Sequence, residues 1–281
     1  MIITTTNHPI HIWITRALRH GGPPYLSNLE NLIKHYPEYI QQNLEHIDAY
    51  IRPPWREPIV ITTIMKANKD EAAKAHQQRL HHIPTQDLII YTDGSGHNGN
   101  IGAAIYSPII DVIKGEYIGT EETHNVYAAE LTAIQMAITL FEEKIEKYTK
   151  IHILTDNQSA IQAVDSSKRQ SGQYIVKEIL DTIDRIQEIK PSSAIRIEWV
   201  PGHTNITGNE RADQGAKVVA SPSTTPSNIR MKSAQNRSIQ TMTKTKWEIE
   251  WKMGKTNARR LRSMSQYPGT TTGLKLYGKL K

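Results

Sequence analysis

The sequence predicts an α/β fold in which a mixed five-stranded sheet is flanked by helices. Two short apolar runs, Leu88–Thr92 and Ile151–Thr155, are each followed directly by an aspartate, a pattern typical of buried strands. Two further runs, Gly102–Ser107 and Val112–Ile118, surround a turn at Pro108 and predict an antiparallel hairpin. Strands of both kinds in one unit, with amphipathic helical segments after them, favour a mixed sheet with helices on its faces.

Apolar residues at spacings of three and four predict the helices of this unit. A long helix is expected at about Tyr127–Tyr148, and a short helix is expected to begin after Asn157. A second long helix follows Ser171. A fifth strand is predicted at Ile195–Val200, and we expect Asn209 to cap a last helix, Glu210–Val219.

Composition divides the 281 residues into three parts. Residues 1–85 contain Pro-rich breaks and are expected to be an N-terminal extension or linker. Residues 86–220 are expected to be the α/β domain, with 12 Lys and Arg against 19 Asp and Glu. Residues 221–281 form a basic C-terminal tail, with 13 Lys and Arg against 2 Asp and Glu.

Several classes of protein are disfavoured by the sequence. The chain contains no cysteine, so disulfides and cysteine-based zinc sites are excluded. No apolar run reaches the roughly 18 residues that span a membrane, and no secretory signal is seen, so we expect a soluble intracellular protein without membrane partners. The sequence contains neither a G-x-x-x-x-G-K-[ST] phosphate loop nor a G-x-S-x-G elbow.

The basic tail has two interpretations. It begins with the linker-like run S-P-S-T-T-P-S-N, and beyond this Trp247, Ile249, Trp251 and Met253 stand among lysines and arginines. Aromatic and basic residues in this mixture can stack on bases and pair with phosphates. Alternatively, the four-residue spacing of Trp247 and Trp251 favours a short helix packed on the domain, which is the interpretation we prefer.

Four carboxylates are the candidates for chemistry. Asp93 and Asp156 follow two strands, while Glu130 and Asp213 lie near the starts of two helices. Taken singly, each has an ordinary explanation, as a turn residue or as an acid favoured by a helix dipole. Because Glu130 shares a helical stripe with Ile134 and Ala137, its charge is expected to face the sheet, where it needs a partner.

Together the four acids indicate a metal-dependent enzyme. Carboxylate oxygens without cysteine or paired histidines favour hard cations, so we expect two Mg²⁺ ions, with Mn²⁺ as a substitute. Two such ions can activate water and stabilise the leaving oxygen of a phosphodiester. His203, ten residues before Asp213, could move a proton there or aid product departure, although a loop histidine is often only exposed to solvent.

Four blocks of sequence resemble the type 1 ribonuclease H family. They are Y-T-D-G-S at 91–95, A-E-L-T-A-I at 129–134, L-T-D-N-Q-S-A-I at 154–161 and W-V-P-G-H-x₄-G-N-E-x-A-D at 199–213. They are most similar to the domains attached to reverse transcriptases of non-LTR retrotransposons. The resemblance implies an RNase H-like fold, two divalent cations, and endonucleolytic cleavage of the RNA strand of an RNA·DNA hybrid. On the matching positions it implies catalytic roles for Asp93, Glu130, Asp156, Asp213 and His203, and it implies that the four acids are metal ligands.

Recognition of the hybrid is expected to depend on 2′-hydroxyl groups in a shallow minor groove. The expected substrate-binding residues are Gly94, Ser95, Gly96, Asn98, Asn125 and Asn157. Two departures from the family pattern are visible. No basic protrusion follows the second long helix, and Val126-Tyr127 occupy the place where some members carry polar residues.

The sequence therefore supports an active ribonuclease H as the first hypothesis. A retroelement-derived module that binds hybrids or RNA without useful catalysis is the alternative. A DNA exonuclease or integrase on the same fold fits less well, because such relatives usually carry a D-x-E pattern on the first strand and Gly94-Ser95 follow Asp93 here.

Overall fold

The computed structural model describes residues 43–53, 55, 60–65, 67–221 and 229–253, and from Glu45 onward these residues lie in one compact unit. Within these ranges, one sheet contains six strands. They are β1 (Ile61–Thr63), β2 (Leu88–His97), β3 (Asn100–Ser107), β4 (Val112–Thr120), β5 (Lys150–Thr155) and β6 (Ala194–Trp199).

The strand order is β1-β6-β5-β2-β3-β4. The pairs β1–β6, β6–β5 and β5–β2 are parallel, whereas β2–β3 and β3–β4 are antiparallel. Within the β2–β5 pair, Thr92 lies opposite Thr155, so Asp93 and Asp156 come next on neighbouring strands. The mixed sheet thus delivers two carboxylates to one place.

Six helices accompany the sheet in the described residues. They are α1 (Lys69–Leu80), α2 (Val126–Glu143), α3 (Gln158–Asp165), α4 (Gln173–Ile189), α5 (Thr207–Val219) and α6 (Lys232–Lys252). The predicted α/β class with a mixed sheet flanked by helices is confirmed.

The sheet has one strand more than predicted. The additional strand, β1, contains only the three residues Ile61–Thr63 and pairs in parallel with β6 at the sheet edge. The sequence around β1 does carry a strand signal, because residues 59–65 read I-V-I-T-T-I-M, an apolar and β-branched run that the prediction overlooked.

The predicted cap of the last helix is wrong. α5 begins at Thr207 with Ile206 as its N-cap, which has no side-chain cap hydrogen bond, and Asn209 therefore lies inside the first turn. The helix starts three residues earlier because Asn209 is buried against Asp156 rather than folded back on its own backbone. Its amide nitrogen lies 3.4 Å from Asp156 Oδ2.

The core consists of two apolar layers, one on each face of the sheet. The larger layer joins Leu88, Ile90 and Ile153 to α2, α3 and α4. The smaller layer contains Ile89, Tyr91 and Leu154 with residues of α1 and α5. Alternate residues of β2 thus face opposite layers, as strand geometry requires.

Small residues let α5 lie close against the hairpin. A Cβ atom at Gly102 on β3 would lie 2.5 Å from the carbonyl oxygen of Ala216 on α5, which is too close for any side chain. This packing directs Asp213, on the same helix, towards the end of β2.

A buried carboxylate joins three distant parts of the chain. Glu45 accepts hydrogen bonds from Ser171 Oγ, from the Gly172 amide and from the Lys232 amide. Neither α4 nor α6 has a side-chain cap of its own, so Glu45 serves the amino-terminal ends of both helices. The first turn of α6 also packs on the larger core layer through Met231 and Ala234.

Beyond this first turn, α6 is exposed. Residues 236–247 are all exposed or half-buried, and Trp247 is 49% exposed. The preferred interpretation of the tail is a helix that packs on the domain through its tryptophans, and the exposed Trp247 does not fit it. The side chain of Trp251 lies outside the described residues, as do residues 222–228 and 254–281. None of the helices in the described ranges is long and apolar enough to cross a membrane.

Candidate active site

Asp93 lies on β2, one residue beyond the segment that pairs with β5. Its residue is only 7% exposed, because α2 crosses β2 very closely at this point. A Cβ atom at Gly94 would lie 2.4 Å from the backbone nitrogen of Glu130. The glycine after Asp93 thus allows the second acid to approach the first.

Glu130 lies on the inner face of α2, one turn after the start of the helix. Asn125 caps α2, because its side-chain oxygen accepts a hydrogen bond of 2.9 Å from the Ala128 amide. The Glu130 residue is 5% exposed, and its Oε2 atom is buried without a hydrogen-bond partner. The predicted orientation towards the sheet is therefore observed.

Asp156 follows β5 and completes a cluster of three acids. Asp93, Glu130 and Asp156 each offer one carboxylate oxygen, and these three oxygens all lie within 4.8 Å of one another. Asn157 caps α3 by accepting a hydrogen bond of 3.0 Å from the Ala160 amide, and thereby fixes the backbone beside Asp156.

Proximity and burial change the protonation of these acids. Burial, reinforced by the charges of Asp156 and Asp213, raises the pKa of Asp93 to about 8. Burial and the charges of Asp93 and Asp156 raise the pKa of Glu130 well above its usual value, while hydrogen bonds to Asn157 and Gly94 oppose that shift. Burial also raises the pKa of Asp156, and Asn209 and His203 oppose it. All three acids thus lack sufficient positive charge nearby.

The three acids fit a divalent cation. A cation would replace the missing positive charge. It would also give Glu130 Oε2 a partner, and a buried carboxylate oxygen without a partner is unfavourable. Carboxylate oxygens without nitrogen or sulfur ligands are the donor set of Mg²⁺ and Mn²⁺.

Asp213 lies in the same cleft but outside the cluster of three. Its Oδ2 lies 2.6 Å from Nζ of Lys217, one turn further along α5. Both residues line an open cleft of about 380 Å³ that also contains the three clustered acids and His203. Asp213 therefore already has a positive partner in this structure.

His203 projects from the loop between β6 and α5. Its φ of 57° is in the left-handed region, which is uncommon for a residue with a side chain. The residue is exposed and lines the cleft, and its charge lowers the pKa of Asp156. A histidine in this position can exchange protons with solvent beside the carboxylates.

Three of the six expected substrate-binding residues line the cleft and three do not. Gly94, Ser95 and Gly96 line the cleft. Asn98 lies in the exposed β2–β3 turn with a φ of 50° and does not line it. The side-chain oxygens of Asn125 and Asn157 are occupied as helix caps, and the Asn125 amide nitrogen lies 3.2 Å from Ser233 Oγ.

Three residues of the site were missed by sequence reasoning. Lys217 had a usable signal, because it lies four residues after Asp213 on a helix. Asn209 was considered only as a cap. Lys69 had no signal in the sequence, because it reaches the site from α1, which lies far from the acids in the chain. Its Nζ lies 3.5 Å from the carbonyl oxygen of Gly202, and its charge lowers the pKa of Asp156.

The comparison with protein families matches the segment that carries these acids. Residues 85–221 match the family described as RNase H. This segment is an RNase H domain. It contains all four acids and His203, together with five of the six strands.

Similar known proteins match about half of this chain. Three Pol polyproteins of equine infectious anemia virus, from isolate 1369, isolate CL22 and strain Wyoming, are each 32% identical over 146 residues. The matched region is 50% of this chain but 11% of each polyprotein, so the chain corresponds to a small part of those proteins. An RNase H1 crystal structure from the halophilic archaeon Halobacterium salinarum NRC-1 matches with 18% identity and a TM-score of 0.33, over 47% of this chain and 96% of that one.

Proposed function

We propose that the protein is a ribonuclease H that cleaves the RNA strand of RNA·DNA hybrids as an endonuclease. The observation that carries this proposal is the cluster of Asp93, Glu130 and Asp156 in an open cleft of an RNase H domain. Burial raises the pKa of all three acids, and such a cluster is costly to a fold and typical of a functional site.

Asp93, Glu130 and Asp156 would hold two Mg²⁺ ions, or Mn²⁺ in their place, with Asp213 as the fourth ligand after release from Lys217. When bound, such ions lower the pKa of water and stabilise the charge on the leaving oxygen of a phosphodiester. The protein's own contribution is rigidity, because each of the three clustered acids lies on or beside a paired strand or inside a capped helix.

The remaining cleft residues act on the substrate. His203, which is exposed and lines the cleft, would carry a proton between solvent and the reacting phosphate. The backbone and hydroxyl groups of Gly94, Ser95 and Gly96 would contact 2′-hydroxyls, because glycines let a nucleic acid backbone approach closely. Selectivity for RNA over DNA would follow from those contacts.

Exposed positive charge would hold the hybrid. Residues 232–247 of α6 contain Lys232, Arg237, Lys244 and Lys246 and no acid. The helix begins beside the site, since Ser233 contacts Asn125, the residue before cleft-lining Val126. Lys168 and Arg169, which are also exposed, would add to this surface.

We further propose that the protein derives from a retroelement of the non-LTR type. The four sequence blocks support that origin, and the similarity to retroviral Pol proteins supports a reverse-transcribing ancestor in general. On this proposal, residues 1–85 are a remnant or linker, residues 86–220 the catalytic domain and residues 221–281 a nucleic-acid-binding tail.

One observation favours the alternative, a hybrid-binding module without useful catalysis. Val126 is 39% exposed and presents an apolar side chain in the cleft, while Asn125 and Asn157 are used as caps. Fewer polar groups therefore remain for the 2′-hydroxyl contacts that position the scissile strand.

The test is cleavage of a labelled RNA·DNA hybrid with and without Mg²⁺, beside duplex DNA and duplex RNA. We expect metal-dependent cutting of the hybrid's RNA strand alone, and its loss in Asp156→Asn. Asp165→Asn, at an exposed aspartate ending α3, is the matched control and should cut normally. A protein that binds hybrid but never cuts it in Mg²⁺ or Mn²⁺ would be the binding module instead.

A further inference from the structure

A second cleft of about 380 Å³ opens away from the four acids. It lies near the starts of β2 and β5. Asp93 and Asp156 lie just beyond the opposite end of the segment in which these two strands pair. His152 and Asp156 are four residues apart along an extended strand, which corresponds to about 13 Å. The charged residues of the second cleft are Arg79, Asp87, Lys150, His152, Arg196 and Glu198.

The two acids of the second cleft already have partners. The buried His152 lies between them, with Nδ1 at 3.1 Å from Glu198 Oε1 and Nε2 at 3.1 Å from Asp87 Oδ2. Both contacts are hydrogen bonds to carboxylates when the ring carries both of its protons. Arg79 forms an ion pair of 2.6 Å with Glu198, and Lys150 lies 3.7 Å from Asp87.

Lysine and arginine side chains therefore outnumber carboxylates in this cleft. Among the described residues, the side chain of Arg196 forms neither an ion pair nor a hydrogen bond, and its Nε is buried without a partner. The three cations Arg79, Lys150 and Arg196 face two carboxylates that His152 also serves. The buried Nε–H of Arg196 lacks an acceptor, which is unfavourable, and a bound anion would supply one.

We propose that the second cleft binds the phosphate group of a phosphomonoester such as a mononucleotide. An arginine guanidinium offers parallel N–H donors that match phosphate oxygens, and a lysine adds a point charge. The cleft is lined by Ile83 and Pro84 as well, which give the non-phosphate part of the ligand an apolar wall. The site is separate from hybrid cleavage and does not depend on it.

The test is calorimetric titration of the full chain with adenosine 5′-monophosphate, with inorganic phosphate and with adenosine. We expect the two phosphates to bind and adenosine not to bind. Arg196→Met should weaken both affinities about tenfold or more, because it removes a charged hydrogen-bond donor. Lys150→Met should weaken them too, while Lys147→Met, an exposed lysine three residues away that does not line the cleft, should leave them unchanged.

A catalytically inactive Asp156→Asn protein distinguishes the sources of the phosphate. Displacement of the mononucleotide by an RNA·DNA hybrid would overturn the assignment to a phosphomonoester, because the site would then take a strand phosphodiester. No displacement would support the phosphomonoester. Absence of phosphate binding by the wild-type protein would overturn the proposal. So would affinities that Arg196→Met and Lys150→Met, both folded by circular dichroism, leave equal to that of the wild type.

Discussion

Asp93, Glu130 and Asp156 illustrate how individual residues store free energy at a site. Each carboxylate is removed from water and lies near the other two, so that protonation is favoured where an ordinary aspartate would be ionised. The fold tolerates this because capped helices and paired strands hold the backbone on either side. A cation or a proton relieves the same repulsion, and the two therefore compete for the site.

Asp93→Asn should stabilise the metal-free protein at alkaline pH. The pKa of Asp93 is about 8 in the folded chain against 3.8 unfolded, so the folded state binds more protons between these values. The free energy of unfolding should therefore fall as pH rises from about 4 to about 8, by a few kcal/mol at most. Asparagine cannot ionise, and the variant should lose less stability over this interval.

Urea unfolding in a chelator at pH 5, 7 and 9 measures this difference. Asp111→Asn is the control, because Asp111 is exposed and its φ of 49° suits asparagine. An equal pH dependence in wild type and Asp93→Asn would contradict the expectation. Addition of Mg²⁺ should stabilise the wild type more than the variant, since a ligand that binds only the folded state adds stability.

At the scale of elements, Glu45 connects helices that are distant in sequence. Its carboxylate accepts amide hydrogen bonds at the starts of α4 and α6, 127 and 187 residues away. Charged acceptors at helix amino-terminal ends benefit from the helix dipole as well as from the hydrogen bonds. The position of α6 thus depends on a residue of the N-terminal part of the chain.

Glu45→Gln should lower the free energy of unfolding by about 1–3 kcal/mol, since a neutral amide is a weaker acceptor than a carboxylate. In addition, the glutamine NH₂ group would face the amide donors that Glu45 now accepts from. Hydrogen exchange should accelerate most at the first amides of α6. Glu188→Gln, at an exposed glutamate of α4, should change neither quantity. If the amides of α6 exchange no faster in Glu45→Gln, the carboxylate is not what holds the helix.

The exposed part of α6 should contribute to hybrid affinity through charge alone. In an Asp156→Asn background, Lys244→Gln with Lys246→Gln should weaken hybrid binding and reduce the slope of log affinity against log salt by up to about 2, because each phosphate contact releases counterions. The pair Lys144→Gln and Lys147→Gln removes two exposed lysines elsewhere and should have a smaller effect. An unchanged salt slope in the α6 variant would exclude this helix from the interface.

At the scale of the whole molecule, the RNase H domain is not the complete folding unit. β1 covers the edge of β6, and α1 covers part of the smaller core layer, where His76 lies 3.0 Å from the hydroxyl of Tyr91. Both elements precede residue 85. They protect a parallel edge strand that would otherwise be free to pair with other chains.

A fragment of residues 85–221 should therefore be less stable and more prone to aggregate than a fragment of residues 43–253. We expect a lower urea midpoint and concentration-dependent light scattering for the shorter fragment, because it exposes the β6 edge and part of the apolar face around Tyr91. A third fragment, 60–221, restores β1 and α1 without α6 and should recover most of the midpoint. Equal midpoints for all three would show that the flanking elements add nothing.

Sequence reasoning succeeded where the signal is local and strong. Apolar runs and helical stripes in residues 86–220 predict five strands and four helices close to their observed bounds, and the blocks around the four acids predict which residues gather in one cleft. It failed where a partner distant in sequence decides. α5 begins early because Asn209 contacts Asp156, and the two ionic partners of His152, Asp87 and Glu198, belong to two other segments.

The contact at Glu45 has a consequence for how such a domain can be transferred between proteins. Its backbone amide donates a hydrogen bond of 3.0 Å to the carbonyl of Arg230, so the chain enters the compact unit beside the point where it leaves for α6. A unit whose two ends meet can be inserted into a loop of a host protein without stretching either partner. The geometry that holds α6 in place thus also brings the two ends of residues 45–230 together.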